Sequence, residues 1–353
     1  MNMNNFIFEN TTKIYFGKGC VKEYLAYMVK DSHTVMLIYG GSSIKRNGIY
    51  DEVIRILLDA GKSVVEFSGV MSNPTYIKVQ EGARLAREQQ VDLLLGIGGG
   101  SVMDCCKAIS MAAVYSGDIW NDFWERVDVV DFKPLPLGVI VTVAGTGSEM
   151  NGGAVITNEK KKIKTGRDYP ACNPRFALMD PEYTKSVPKQ QIVSGGFDIL
   201  SHIMETYFSA PDEENVSDDI SESLMRGVIR DLRALLQEPE NYTARSNLMW
   251  ESTMAENRMI KLGSSVIFNV TKWSISWELI SIVIMVKDWR CCTQSITGIF
   301  TILDKINLHV LPHVSGEFVQ KAKQRRNWHV KALRHWRISF TNWGCLPPCG
   351  NLA

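Results

Sequence analysis

The sequence predicts an α/β fold with a doubly wound, Rossmann-like parallel sheet, followed by an all-helical part. Three observations support this prediction. Short apolar runs alternate with amphipathic helical stretches through residues 34–142. The run VDLLLGI at residues 91–97 is almost wholly apolar, as expected of a strand covered on both faces. After Pro181 the pattern changes to long amphipathic helices, predicted at residues 189–208, 217–237 and 244–262.

Composition and charge are typical of a soluble globular protein. The chain has 353 residues, enough for two domains, with 45% hydrophobic and 22% charged residues. Its formal net charge of +1 argues against a dedicated nucleic-acid binder. No signal peptide opens the sequence, and the longest apolar stretch, near residues 279–286, is too short to span a bilayer. Eight cysteines suggest reduced thiols. We therefore expect a cytoplasmic protein that binds neither nucleic acid nor a membrane.

The sequence GIGGGS at residues 96–101 lies between a predicted buried strand and the start of a helix. Glycines there let the backbone approach a pyrophosphate, and the free amides of the helix favour its charge. A tight turn without a ligand is the alternative interpretation. Asp104 follows one turn later, where it would point into the same crevice or would only complement the helix dipole.

Two further loops follow apolar strands. The sequence GGSS at residues 40–43 contains no acidic residue that would bind the ribose hydroxyls of NAD. Lys45 and Arg46 close behind it favour NADP, although a solvated basic pair fits the pattern nearly as well. The sequence TVAGTGSEM at residues 142–150 offers hydroxyls and glycines that would line the nicotinamide or its phosphates, or would only cross between domains.

Asp198 and His202 stand four residues apart in a predicted helix. This spacing places both side chains on one face, one turn apart, so a carboxylate oxygen and an imidazole nitrogen can reach one ion. A catalytic divalent metal usually takes three or four protein ligands. The pair is therefore half of a metal site.

Four ordered motifs resemble the iron-containing (group III) alcohol dehydrogenases: GGGSVMD at residues 98–104, TVAGTGSEM at 142–150, FALMDPEYTKSVP at 176–188 and GGFDILSHIMETYF at 195–208. The loop GGSS at residues 40–43, here called the first loop, resembles that of the NADPH-dependent butanol dehydrogenase branch. The resemblance implies a dehydroquinate synthase-like fold, with a dinucleotide-binding domain and a helical metal-binding domain, usually in a homodimer. It also implies Fe2+ or Zn2+ held by one Asp and three His, which polarises the alcohol oxygen during hydride transfer.

The resemblance assigns expected roles to individual residues. Asp198 and His202 match the first two metal ligands and are the expected catalytic residues. Asp104 would sit near the nicotinamide, and Lys164 stands where the family has a cofactor-facing lysine. The expected cofactor is NADP(H), with NAD(H) as the alternative. Its other expected contacts come from the three loops: Gly40, Gly41, Ser42, Gly98, Gly99, Ser101, Thr142 and Thr146.

The family's other two histidine ligands, fourteen residues apart, are missing, because no histidine lies between His202 and His309. Composition also changes here: residues 264–353 hold eleven Lys/Arg against four Asp/Glu and six of the nine Trp. Regrouping the possible codons one base earlier allows HQMEHQLG at residues 271–278 and a further histidine at 285, so the two ligand positions fall at 271 and 285. Residues 285–297 and 343–353 also allow family-like strings. We therefore predict a frameshift from about Ser264 to the end, leaving Thr271 and Met285 in the ligand positions.

These interpretations divide the chain into three parts. Residues 1–182 form the dinucleotide-binding α/β domain, residues 183–263 an incomplete helical metal and substrate domain, and residues 264–353 a basic, Trp-rich tail. The expected function is metal-dependent dehydrogenation of a primary alcohol, or reduction of its aldehyde, inactive in the chain as written. The alternatives are a polyol or glycerol dehydrogenase on the same scaffold and a non-catalytic nucleotide-binding remnant.

Overall fold

The computed structural model describes residues 4–207 and 215–264 of the chain. All of these residues belong to one compact unit. The predicted frameshifted tail beyond Ser264, including the two expected ligand positions Thr271 and Met285, lies outside the described residues.

Six parallel strands form the central sheet. They are β1 (Lys13–Phe16), β2 (Thr34–Tyr39), β3 (Ser63–Phe67), β4 (Leu93–Gly98), β5 (Leu137–Val141) and β8 (Phe176–Met179). Their spatial order is β1-β8-β5-β4-β2-β3, so the chain passes from β2 to β3 and then returns to the other side of β2 as β4. At such a reversal a crevice opens beyond the carboxyl ends of the strands, where α/β proteins bind ligands. The predicted doubly wound parallel sheet is confirmed.

Helices cover both faces of the sheet, since each face buries its own hydrophobic cluster. The helices are α1 (Cys20–Met28), α3 (Ile49–Asp59), α4 (Tyr76–Glu88) and α5 (Gly100–Ala112), with a short α2 (Ser43–Arg46) after β2. Within β4, Leu94 packs into the cluster under α4 and α5, whereas Leu93 and Leu95 pack into the cluster under α1 and α3. This two-sided burial explains why the strand is apolar throughout. An antiparallel hairpin of β6 (Gly153–Asn158) and β7 (Ile163–Asp168) packs on α5.

Three long helices follow the sheet and pack around a third hydrophobic cluster: α6 (Lys189–Tyr207), α7 (Val216–Gln237) and α8 (Tyr242–Glu256). Asparagine caps two of them. The Asn215 side chain accepts hydrogen bonds from the amides of Ser217 and Asp218, and Asn241 accepts one from Ala244. The predicted helical second part is confirmed for these residues. Among the residues that the structure describes, no helix combines the length and apolarity needed to cross a bilayer.

Helix α8 ends six residues earlier than the sequence pattern predicts. Asn257 closes it, accepting a hydrogen bond from the Met259 amide, and Arg258 adopts a left-handed backbone with φ of 74°. A short 3-10 turn, Met259–Lys261, continues the helical pattern after this break. Residues 257–262 kept the apolar spacing of a helix, so periodicity alone could not locate the break.

Gly138 lets β5 and β8 pack closely. It lies opposite Phe176 in the register, and a Cβ atom on it would come 2.1 Å from the Phe176 Cζ atom. Phe176 is fully enclosed and cannot swing away. We expect Gly138→Ala to lower the free energy of unfolding by about 1–3 kcal/mol, measured by urea denaturation of the full chain.

The matched control is Gly41→Ala, because a Cβ atom there would meet nothing within 4 Å. Its unfolding free energy should stay within about 0.5 kcal/mol of the parent's. Equal denaturation midpoints for the two variants would contradict the packing at Gly138.

Candidate active site

A cleft of about 980 Å³ is walled by the start of α5, the β6–β7 hairpin and helices α6 and α8. Six of the residues predicted from sequence line it: Ser101, Asp104, Thr146, Lys164, Asp198 and His202. The other six predicted residues lie at the carboxyl ends of β2, β4 and β5, outside this cleft wall: Gly40, Gly41, Ser42, Gly98, Gly99 and Thr142.

Asp198 and His202 face one another along α6. The Nε2 atom of His202 lies 3.6 Å from the Asp198 Oδ1 atom, and both side chains are partly exposed to the cleft. The spacing of one turn therefore brings a carboxylate and an imidazole to one point, as the sequence predicts. The other ring nitrogen, Nδ1, lies 3.1 Å from the Glu256 Oε1 atom.

Neighbouring charges determine the protonation states of His202 and Glu256. Burial lowers the pKa of His202, but the Glu256 charge and a hydrogen bond with Asp198 outweigh it and raise the pKa to about 10. Burial raises the pKa of Glu256, yet the His202 cation and Lys261 bring it down to about 2. Lys261 Nζ lies 3.0 Å from both Glu256 carboxylate oxygens. Without a metal, the histidine is held as a cation between two carboxylates.

Sequence reasoning missed Glu256, although one signal was present. It is the last residue of α8, and a carboxylate at a helix C-terminus is disfavoured by the helix dipole. An acid in that position calls for a specific partner. The structure supplies two, His202 and Lys261.

Asp198 and His202 bring two possible metal donors together. Asp198 and His202 form a mixed oxygen and nitrogen pair, which suits Fe2+ or Zn2+. Across residues 4–207 and 215–264, no group of three or more His, Cys, Asp or Glu side chains is arranged to hold a metal. Glu256 is already engaged by His202 and Lys261. The pair therefore fits such a metal, and the remaining ligands would have to come from elsewhere in the chain.

The glycine-rich loop after β4 lies against the loop after β5. The Thr142 amide donates to the Gly98 carbonyl oxygen over 3.1 Å. A Cβ atom on Gly100 would come 2.5 Å from the Thr146 Oγ1 atom, so only glycine allows the two loops to approach this closely. Gly98 and Ser101 thereby share one edge of the sheet with Thr142 and Thr146.

Asp104 belongs to a buried network that sequence reasoning did not find. It accepts hydrogen bonds from the Ser148 hydroxyl at 3.0 Å and the Val155 amide at 3.1 Å. Burial raises the pKa of Asp104, and the nearby Lys107 opposes that rise. Lys107 is fully enclosed, and its ammonium lies within hydrogen-bonding distance of four oxygens, at Ser148 (two), Asn151 and Gly153, over 2.6–3.1 Å. Nothing in the sequence assigned a partner to Lys107, so its role in this network could not be predicted.

The basic pair behind the first loop is already engaged. Lys45 Nζ lies 3.3 Å from the Glu66 Oε2 atom, and the Arg46 guanidinium donates to the Ser42 hydroxyl. The sequence left open whether these two cations meet a phosphate or only solvent. In the structure only Arg46 lies at the loop itself, beside Ser42, and Lys45 points to β3.

The loop at residues 142–150 joins the sheet to the helices. The Ser252 hydroxyl of α8 accepts hydrogen bonds from the buried amides of Gly145, at 2.8 Å, and Gly147, at 3.3 Å. A Cβ atom on Gly195 would come 2.4 Å from the Ala144 carbonyl oxygen, so α6 packs directly on the loop backbone. Asp198 follows Gly195 by one turn and is thereby placed beside the loop.

We expect Ser252→Ala to lower the free energy of unfolding by about 1–3 kcal/mol, because two buried amides lose their acceptor. Ser246→Ala on the same helix is the matched control, since the Ser246 hydroxyl only donates back to the Tyr242 carbonyl oxygen. Thermal and urea denaturation of both variants measure the difference. A Ser252 variant as stable as the Ser246 variant would show that the loop is held by other contacts.

Known proteins share both halves of this arrangement. Residues 11–181 match the sequence model of the iron-containing alcohol dehydrogenases, and residues 192–272 match that of the family's C-terminal domain. A probable NADH-dependent butanol dehydrogenase of Bacillus subtilis (strain 168) is 41% identical over 262 residues, covering 74% of this chain and 67% of its own. The NADPH-dependent aldehyde reductase YqhD of Escherichia coli K12 is 37% identical over 264 residues, covering 74% and 67%.

A solved structure matches the fold of this chain. The crystal structure of NADH-dependent butanol dehydrogenase A from Thermotoga maritima matches with a TM-score of 0.72 and 41% identity, covering 75% of this chain and 66% of that one. The matched part thus spans about two thirds of the length of these relatives, and the family match ends at residue 272. The sequence motifs, the sheet order and the two family matches lead to one conclusion: this chain belongs to the iron-containing alcohol dehydrogenase family.

Proposed function

We propose that this chain is built to transfer hydride between a primary alcohol, or its aldehyde, and NADP(H). NAD(H) is the alternative cofactor. One observation carries the proposal. Asp198 and His202 meet in the same cleft as Ser101 and Asp104, which lie on α5 just after the carboxyl end of β4. A metal ligand pair and a glycine-rich phosphate loop facing one cleft are what such a reaction requires.

The dinucleotide would lie across the switch point between β2 and β4. Its pyrophosphate would contact the backbone of Gly98, Gly99 and Ser101, where free amides open α5. The remaining proposed contacts come from the flanking loops and the hairpin: Gly40, Gly41, Ser42, Thr142, Thr146, Asp104 and Lys164. Ser42 and Arg46 support the choice of NADP(H), because they offer a hydroxyl and a cation where the sequence has no acid.

Asp198 and His202 would hold Fe2+ or Zn2+, each through one donor atom. When bound, the metal would supply Lewis-acid polarisation of the alcohol or carbonyl oxygen. Glu256 accepts from His202 Nδ1 and so leaves Nε2 facing Asp198 and the cleft. Asp104 would sit near the nicotinamide, held in place by Ser148 and Val155.

We also propose that the chain is frameshifted from about Ser264 and inactive as written. The support is the end of the family match at residue 272 and the absence of histidine from the sequence between His202 and His309. Thr271 and Met285 would stand in the ligand positions, and neither side chain replaces imidazole for a borderline divalent ion. The proposed domains are residues 1–182, residues 183–263 and the tail at residues 264–353. A non-catalytic nucleotide-binding chain is therefore the second candidate.

A homodimer in the cytoplasm completes the proposal. The compartment is supported by the four described cysteines, Cys20, Cys105, Cys106 and Cys172, all of them free and buried. The dimer is supported only by the resemblance to the family, and size-exclusion chromatography with light scattering would measure it.

Gene sequencing tests the frameshift directly, and metal analysis tests its consequence. We expect the chain as written to contain less than one iron or zinc ion per chain and to show no alcohol oxidation. A chain carrying the restored frame should bind one metal per chain and oxidise butanol with NADP+. Asp198→Ala in the restored chain should abolish metal retention, whereas Asp219→Ala, an exposed carboxylate on α7, should leave it unchanged.

Stoichiometric metal in the chain as written would contradict the inactive interpretation. A shifted reading frame without the two histidine codons would end the frameshift proposal. With the restored chain in hand, comparing butanol with glycerol separates a primary alcohol dehydrogenase from a polyol dehydrogenase. Faster turnover of glycerol at equal concentration would favour the polyol dehydrogenase.

A further inference from the structure

A compact cluster lies directly behind the first loop and is formed by Tyr39, Lys45, Tyr50 and Glu66, here called the Glu66 cluster. Tyr39 is the last residue of β2, and Glu66 lies on the neighbouring strand β3. The Glu66 Oε2 atom accepts from the Tyr39 hydroxyl at 2.7 Å and from Lys45 Nζ at 3.3 Å. The Tyr50 hydroxyl donates to the Glu66 Oε1 atom. Both oxygens of this carboxylate are thus engaged.

Lys45 is held by rings as well as by charge. Its ammonium lies 4.2 Å from the centroid of the Tyr50 ring and 5.4 Å from that of Tyr39. The two rings meet edge to face, with centroids 5.7 Å apart. Two aromatic faces and one carboxylate therefore hold a lysine that the sequence places next to the cofactor loop.

The electrostatics of the Glu66 cluster keep it ionised. Hydrogen bonds from Tyr50 and Tyr39 lower the pKa of Glu66, so the carboxylate is charged at neutral pH. Hydrogen bonding with Tyr39 and Glu66 raises the pKa of Lys45, so the ammonium is charged too. The ion pair is partly exposed, with 46% and 43% of the two side chains accessible, so solvent competes with it. The ion pair with Glu66 therefore holds Lys45 only weakly.

Arg46, the next residue, takes the opposite direction. Its guanidinium donates to the Ser42 hydroxyl within the first loop. The two adjacent cations therefore have different surroundings: Arg46 stands at the loop, and Lys45 is drawn toward Glu66. A 2′-phosphate bound at Ser42 would meet the charge of Arg46 while the charge of Lys45 is offset by the carboxylate.

We infer that Glu66 is a specificity-determining residue that sets the balance between NADP(H) and NAD(H) by withholding Lys45 from the 2′-phosphate. The inference rests on the proposed function, because it requires a dinucleotide at the first loop. By this inference, a loop that has no acidic residue and is followed by two cations would still accept NAD(H). In other α/β proteins, specificity for NAD depends on a carboxylate that binds the ribose hydroxyls. Here the Glu66 carboxylate holds Lys45 instead.

The test measures dissociation constants of NADPH and NADH for the full chain, by the fluorescence of the nicotinamide. We expect Glu66→Gln to raise the preference for NADPH over NADH by about fivefold, because an ammonium freed near a phosphate gains that order of interaction in partly screened surroundings. The glutamine amide oxygen can accept from one of the two tyrosine hydroxyls, and the amide NH2 group takes the place of the other acceptor. Lys45→Met alone should change the preference by less than about twofold.

The double variant decides the mechanism. Adding Lys45→Met to Glu66→Gln should remove the gain, because the freed cation is its source. Glu88→Gln is the matched control, since it also deletes one carboxylate, from an exposed ion pair with Arg84 on α4. The control should leave the preference unchanged.

Two results would overturn the inference while leaving the proposed function intact. One is dinucleotide binding with a preference that Glu66→Gln does not move. The other is a loss of NADPH preference in Lys45→Met as large as that in Arg46→Met, which would place Lys45 at the phosphate already. If the folded full chain binds neither nucleotide, the proposed cofactor function fails, and the inference fails with it.

Discussion

The backbone at residues 142–153 is the constraint on which the cleft depends. It leaves the sheet at β5 and is fixed from two sides, by buried hydrogen bonds from Lys107 and by the Ser252 hydroxyl of α8. Gly195 packs α6 onto the same backbone. Since these polar groups are buried away from water, losing one of these hydrogen bonds lowers the free energy of unfolding by about 1–3 kcal/mol. The loop thus fixes the position of Asp198 relative to the glycine-rich loop between β4 and α5.

Local chemistry explains how much of this was predictable. The apolar run of β4 and the glycines around Gly98 predicted a buried strand and a tight turn, because burial and close backbone approach restrict residue choice. The spacing of Asp198 and His202 predicted a shared helix face, because helical geometry fixes it. Features that depend on a few consecutive residues were therefore accessible from the sequence.

Long-range polar partners were not accessible. Glu256 reaches His202 across more than fifty residues, and Lys107 reaches Asn151 across 44. Glu66 meets Lys45 only because β2 and β3 are neighbours in the sheet. The end of α8 at Glu256 also escaped periodicity, since the apolar spacing continues beyond it. The polar partners are set by packing between elements, which no local pattern encodes. The end of α8 is set by the hydrogen bond from the Met259 amide to Asn257, which apolar spacing does not detect.

We propose that Asp198 and His202 are half of a metal site at the nicotinamide end of the cleft. The most direct measurement is anomalous diffraction at the iron or zinc edge, on crystals of the restored-frame chain grown with NADP+. We expect one anomalous peak within about 2.0–2.2 Å of both Asp198 Oδ and His202 Nε2, next to the nicotinamide. A metal bound elsewhere, or a fully loaded chain with no peak between these two residues, would contradict it.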